Sequence, residues 1–172
     1  LQAGMCLTEA YKLRPQTDRR NNHKLDNQGW LGRADAAVEV RYAENVGSES
    51  CRFEHLGGSG LDYVVGCKGG TVGHCTFTDI AMNGLVVRSF SPEGLETHLP
   101  YNPTDFREVC TNQTVEQSEF CDVSNEDWGC VAIAAGYVAG ISIRHNTIHN
   151  VSYSGISLGW GWNRDLVCMK TS

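Results

Sequence analysis

The segment Ser124-Asn-Glu-Asp-Trp128 sets two carboxylates, Glu126 and Asp127, beside the indole ring of Trp128, with a further carboxylate nearby at Asp122. Carboxyl groups give and take protons, and aromatic rings offer apolar faces. Together they suit a sugar, which presents C–H faces for stacking and hydroxyl edges for hydrogen bonding. A second aromatic feature, Gly159-Trp-Gly-Trp162, follows Ile156-Ser-Leu158. Trp160 and Trp162 either close a core there or form a platform for a sugar ring, and the pattern fits both. On the segment 88–110, His98, Tyr101, Asp105 and Arg107 are polar candidates able to wall a groove above Asp127.

Two other sets of residues look chemical but read better as structure. His55, Asp79, Asp122 and Asn150 occupy equivalent places in a repeat, which suggests either a row of catalytic carboxylates or a ladder of side chains bonding turn N–H groups and one another. The ladder is the better reading for the column, while Asp122 stays a catalytic candidate. The eight cysteines (6, 51, 67, 75, 110, 121, 130 and 168) contain no C-x-x-C pair and no zinc-type spacing, so no metal and no cofactor is expected. Cys51 and Cys75 share a column and could reach disulfide geometry, but buried thiols are favoured. Cys121, beside Asp122, matches no nucleophile-and-base spacing.

The frame that must hold these groups is a repeat. CRFEHLGGSGL (51–61), CTFTDIAMNGL (75–85), SEFCDVSNEDWGC (118–130) and NTIHNVSYSGI (146–156) align on Phe53, Phe77, Phe120 and Ile148. Ser48, Val72, Val115 and Ile143 precede these centres, and Leu56, Ile80, Val123 and Val151 follow them, always at the same offsets. The next strand opens with Gly60-Leu61, Gly84-Leu85, Gly129-Cys130 or Gly155-Ile156. The steps Phe53 to Phe77 and Gly60 to Gly84 are both 24 residues, one coil of a β-helix rather than a longer helical repeat. Strands are short and alternate, as in Ile141-Ser-Ile143, and a single coil buries too little to be stable until others stack upon it.

Function on a regular scaffold is expected where the period breaks. From Phe120 to Gly129 the distance is nine residues instead of seven, which implies a two-residue insertion within 124–128. Between Val87 and Val115 the distance is 28 residues, against nine from Tyr63 to Val72, which implies a long inserted loop across 88–110. The expected organisation is an N-terminal irregular or capping segment, 1–35, with a short helix possible around Leu7 to Leu13. Parallel β-helix coils over 36–172 follow, with both chain ends looking cut.

The 172 residues carry 41% hydrophobic and 20% charged side chains, the balance of a folded domain, and a formal net charge of −6. That charge opposes nucleic acid or an anionic membrane as partner. No apolar run is long enough to span a bilayer. Of the sequons at Asn112 and Asn150, nothing follows outside a glycosylating host.

Gly-Cys-Val-Ala-Ile (129–133), Ile-Arg-His-Asn-Thr-Ile-His-Asn-Val (143–151) and Ser-Gly-Ile-Ser-Leu-Gly-Trp-Gly-Trp (154–162) together resemble bacterial right-handed parallel β-helix proteins of polysaccharide-degrading systems. Among these the chain looks most like glycoside hydrolase family 141, over about residues 36 to 162. The resemblance implies hydrolysis of a glycosidic bond by two acidic residues. Asp127 best matches one of them, with Glu126, Asp122 and Asp165 as candidate partners. From the residues themselves, Trp128, Trp160, Trp162, His98, Tyr101 and Arg107 are the candidate substrate contacts, with an oligosaccharide or polysaccharide as partner. Further implied by the resemblance are additional coils of a longer chain beyond Gly159-Trp-Gly-Trp162, and a secreted, periplasmic or cell-surface location. Two alternatives compete with a hydrolase: a non-catalytic carbohydrate-binding or surface β-helix, and a polysaccharide lyase. The dense Asp cluster that would hold a lyase's Ca²⁺ is lacking.

Overall fold

The computed structural model describes residues 36–88, 105–126, 130–136 and 138–158. Thirteen short strands, all paired in parallel, form three sheets that the chain visits in rotation. The first sheet contains β1 (Ala36–Arg41), β4 (Ser59–Val65), β7 (Leu85–Arg88), β10 (Val131–Gly136) and β13 (Ser154–Leu158). The second contains β2 (Gly47–Glu49), β5 (Thr71–Gly73), β8 (Thr111–Glu116) and β11 (Ala139–Arg144), and the third β3 (Arg52–Leu56), β6 (Thr76–Ile80), β9 (Glu119–Val123) and β12 (Thr147–Val151). Three strands make one coil, so the chain is a parallel β-solenoid of four coils with β13 opening a fifth. Its helical content among the described residues is one 3₁₀ turn, Phe106–Glu108.

The sequence columns are the pairing register. Phe53 pairs with Phe77, Phe77 with Phe120, and Phe120 with Ile148. The columns Ser48, Val72, Val115, Ile143 and Leu56, Ile80, Val123, Val151 are likewise in register. Stacking like on like lets flat rings lie face to face: the Phe53–Phe77 and Phe77–Phe120 centroids are 4.6 and 4.5 Å apart and the ring planes nearly parallel. Each ring needs space at the strand start opposite it. A Cβ on Gly84 would come within 2.8 Å of Phe120 Cδ1, and one on Gly60 within 3.0 Å of Phe77 Cδ1.

That packing rule corrects the alignment of the fourth coil. Leu85 pairs with Ile133, so the place of Gly84 is taken by Ala132, not by Gly129. Where the centre is Ile148 rather than a ring, the facing position carries a methyl group. The insertion after Val123 is therefore five residues rather than two: Val123 and Ile133 lie ten apart, against five for Ile80 and Leu85. The longer insertion follows the expected register, since Val87 pairs with Tyr63 and Val115 with Val72.

Corners are made by left-handed backbone. His55, Asp79, Asp122 and Asn150 all have φ between 51° and 57°, and Ser50, His74, Gln117 and His145 form a second such column. This conformation costs roughly 1–2 kcal/mol per non-glycine residue, so it is held by the coils on either side. The outer faces differ. In the first sheet Asp62, Val64, Val86 and Ala134 are buried although they point away from the core, whereas the outer faces of the second and third sheets are largely exposed.

Candidate functional site

The corner that ends the third sheet brings together the acidic column and the start of the five-residue insertion. Asp122, at φ 51°, is exposed, and its Oδ2 accepts a hydrogen bond from Cys121 Sγ at 3.2 Å. One coil below, Asp79 Oδ2 lies 2.6 Å from His55 Nδ1. Asn125, in the insertion, donates from Nδ2 to the Asp122 carbonyl at 2.9 Å and to Asp79 Oδ1 at 3.4 Å. The insertion is pinned by its backbone as well: Ser124, Asn125 and Glu126 donate their N–H groups to Met82, Ile80 and Ala81. Glu126 is thereby fixed beside the corner with an exposed side chain.

The column is thus partly the ladder that the sequence suggested, because His55 and Asp79 bond across coils. The hydrogen bond to Asp79 is also the main cause that raises His55 above its ordinary value, outweighing slight desolvation. The same outer face continues through Cys121, which pairs in register with His149, while His149 Nε2 lies 3.2 Å from Glu119 Oε1. A Cys–His–carboxylate row of this kind invites a nucleophile reading, and the electrostatics oppose it. The Asp122 carboxylate raises the Cys121 thiol above its usual range, which keeps it protonated.

Of the remaining sequence candidates, Arg107 lies elsewhere, on the 3₁₀ turn at the far end of the long insertion. Its guanidinium forks onto Asp105, with Nη2 to Oδ2 at 2.6 Å and Nε to Oδ1 at 3.0 Å. That pairing holds the Asp105 carboxyl down at about 2. Asp127, Trp128, Trp160, Trp162, His98 and Tyr101 lie outside the described residues, as does Asp165. His55 and Asn125 were not singled out in the sequence as site residues. The signal for His55 was its place in the ladder, but nothing in the sequence marks Asn125 as the side chain that ties the insertion to two coils.

The cysteines among the described residues are free thiols. Cys75 is buried as expected, but Cys51 is exposed; it stands in the first described coil, where no further strand pairs outside it among the described residues. Among the described residues no group of three His, Cys, Asp or Glu side chains is placed to hold a metal ion, and no helix is long and apolar enough to cross a membrane.

Coiling, register and a broken polar corner define the class: a parallel β-solenoid whose departures from period are gathered at its corners. A solved structure described as a glycoside hydrolase is similar in both sequence and fold, with 57% identity and a TM-score of 0.76. The match covers 91% of this chain and 26% of the solved one, so this chain spans about a quarter of that length. No protein-family model and no curated protein matches the sequence.

Proposed function

We propose that this chain is the carbohydrate-active solenoid portion of a longer glycoside hydrolase. In this reading it cleaves a glycosidic bond of an oligosaccharide or polysaccharide with a pair of carboxylates. The observation that carries the proposal is the 57% identity, over 91% of the chain, to a structure described as a glycoside hydrolase. Asp127 is assigned one carboxylate role, and the partner is drawn from Asp122 or Glu126 at the corner just described. One protonates the glycosidic oxygen while the other acts as base or nucleophile. Trp128, Trp160, Trp162, His98, Tyr101 and Arg107 are assigned the role of sugar contacts. The location in keeping with a polysaccharide substrate is outside the cytoplasm, and further coils complete the groove.

The test is Asp127→Asn in the complete protein, assayed for reducing-sugar release across a polysaccharide panel. Loss of release at an unchanged melting temperature is expected. Turnover retained at the wild-type rate removes Asp127 from the mechanism. A carboxyl separation of about 5 to 5.5 Å in an open groove indicates retention of configuration, and about 6.5 to 9.5 Å inversion.

A further inference from the structure

A surface at the opposite corner, between the first and second sheets, has features that neither the core nor the acidic corner requires. Tyr42 follows β1 with a φ of 49° and is 66% exposed. The left-handed backbone is the corner conformation that the other columns also adopt; what sets this corner apart is the exposed aromatic side chain on it. Directly above it in the next coil stands Gly66, itself at φ 63°, and there a Cβ would lie 2.6 Å from Tyr42 Cδ1 and 2.8 Å from the Arg107 carbonyl oxygen. The Tyr42 ring and the 3₁₀ turn therefore flank one glycine and meet over bare backbone.

Both are fixed to the same coil. Tyr42 N–H donates to Val65 O at 2.8 Å, and Gly66 N–H donates to Glu108 O at 2.8 Å. The turn presents a second aromatic ring, Phe106, at 61% exposure. Beside it stands Arg107, whose side chain is 85% exposed and whose charge is matched by Asp105. Asp105 caps the turn by accepting the Arg107 N–H at 2.9 Å and also takes both Nε and Nη2. The guanidinium is thus held in one plane, and the N–H groups not used by Asp105 stay accessible.

We propose that Tyr42 and Phe106, with the Arg107–Asp105 pair at their edge, form a stacking subsite for an uncharged sugar ring of the polysaccharide chain. This rests on the reading of the substrate as a saccharide, and it adds a subsite away from the acidic corner. Rings anchored on a rigid coil bind with little ordering cost, which is the usual advantage of aromatic contact residues. The paired charges favour hydroxyl groups over a uronate, because Asp105 already satisfies the cation that a uronate would seek and repels the incoming carboxylate.

The experiment is affinity electrophoresis of the complete protein in gels containing arabinoxylan, galactomannan, xyloglucan or polygalacturonate. Retardation is expected in at least one of the three uncharged gels. Tyr42→Ala and Phe106→Ala should each weaken it about tenfold, the loss expected for a central aromatic anchor. Tyr42→Phe should retain it, and all three variants should melt near the wild-type temperature because the side chains are exposed. No retardation in any uncharged gel, retardation in polygalacturonate alone, or wild-type binding by both alanine variants would overturn the subsite. Sugar release by Asp127→Asn is measured in parallel and decides a separate question. Active Asp127→Asn with binding lost in Tyr42→Ala leaves the subsite standing and removes the catalytic assignment. The reverse pattern removes the subsite alone.

Discussion

The stacked phenylalanines give a graded test of how the coils hold one another. Phe77 is fully buried with a ring on each side, at 4.6 and 4.5 Å, whereas Phe53 has one ring neighbour and retains 8% exposure. Truncation of a buried Phe to Ala costs about 3–5 kcal/mol through lost transfer energy and the cavity left behind. Each ring–ring contact contributes about 0.5–1.5 kcal/mol beyond burial. Phe77→Ala loses two such contacts in a site closed on both sides and belongs at the top of the range. Phe53→Ala loses one, at a site open to solvent on one side, and should cost less by about 1 kcal/mol or more. At about 2–4 °C per kcal/mol for a chain of this length, Phe77→Ala should lower Tm by about 10–20 °C. Urea denaturation followed by far-ultraviolet circular dichroism measures both variants on one scale. An unchanged slope with a lower midpoint would attribute the change to native packing. If Phe53→Ala proves as costly as Phe77→Ala, the picture of coils stabilised by contacts with both neighbours is refuted.

Two further outcomes can be read without a substrate. Because Asp79 raises His55, the pair contributes fully below the unfolded histidine value near 6.5 and loses its effect as pH rises through the raised folded value. The Tm gap between wild type and His55→Gln should accordingly be largest near pH 5 and close by pH 9; a gap constant across that span would show that the hydrogen bond is not proton-linked. Alkylation resolved by mass spectrometry should modify exposed Cys51 at once in the native protein and buried Cys67, Cys75 and Cys110 only on unfolding. Cys121, half-exposed but kept protonated by Asp122, should react more slowly than Cys51, and the opposite order would contradict the role given to that carboxylate.

The frame was legible because its core columns repeat chemical type at fixed offsets: Phe53, Phe77 and Phe120 could be aligned without any structure. The fourth coil was misread for a physical reason. Gly129 offers a glycine at the expected place, whereas the constraint is volume shared between two positions. A ring at Phe120 excludes a Cβ at Gly84, but the smaller centre at Ile148 accompanies Ala132. The outer faces were half legible. Alternation announced the exposed face of β11, but Ala132–Ala135 reads as one apolar run because β10 is buried on both sides. The polar corner was the least accessible. Insertions follow no column, so the side chain that joins Asp79 to Asp122, Asn125, carries no periodic mark, and the ring at Tyr42 makes sense only once Gly66 is seen above it in the next coil.

Chain length is not conserved from one turn to the next: Phe53 to Phe77 takes 24 residues and Phe77 to Phe120 takes 43, yet the three rings remain coaxial. Whatever is spliced into a corner re-enters at the same rung, which makes loop content and frame stability nearly independent variables. Mutations that retune recognition can then accumulate in 89–104 without drawing on the folding energy of the rungs. The same separation makes the corners natural places for randomised libraries, where a large share of members would be expected to stay folded.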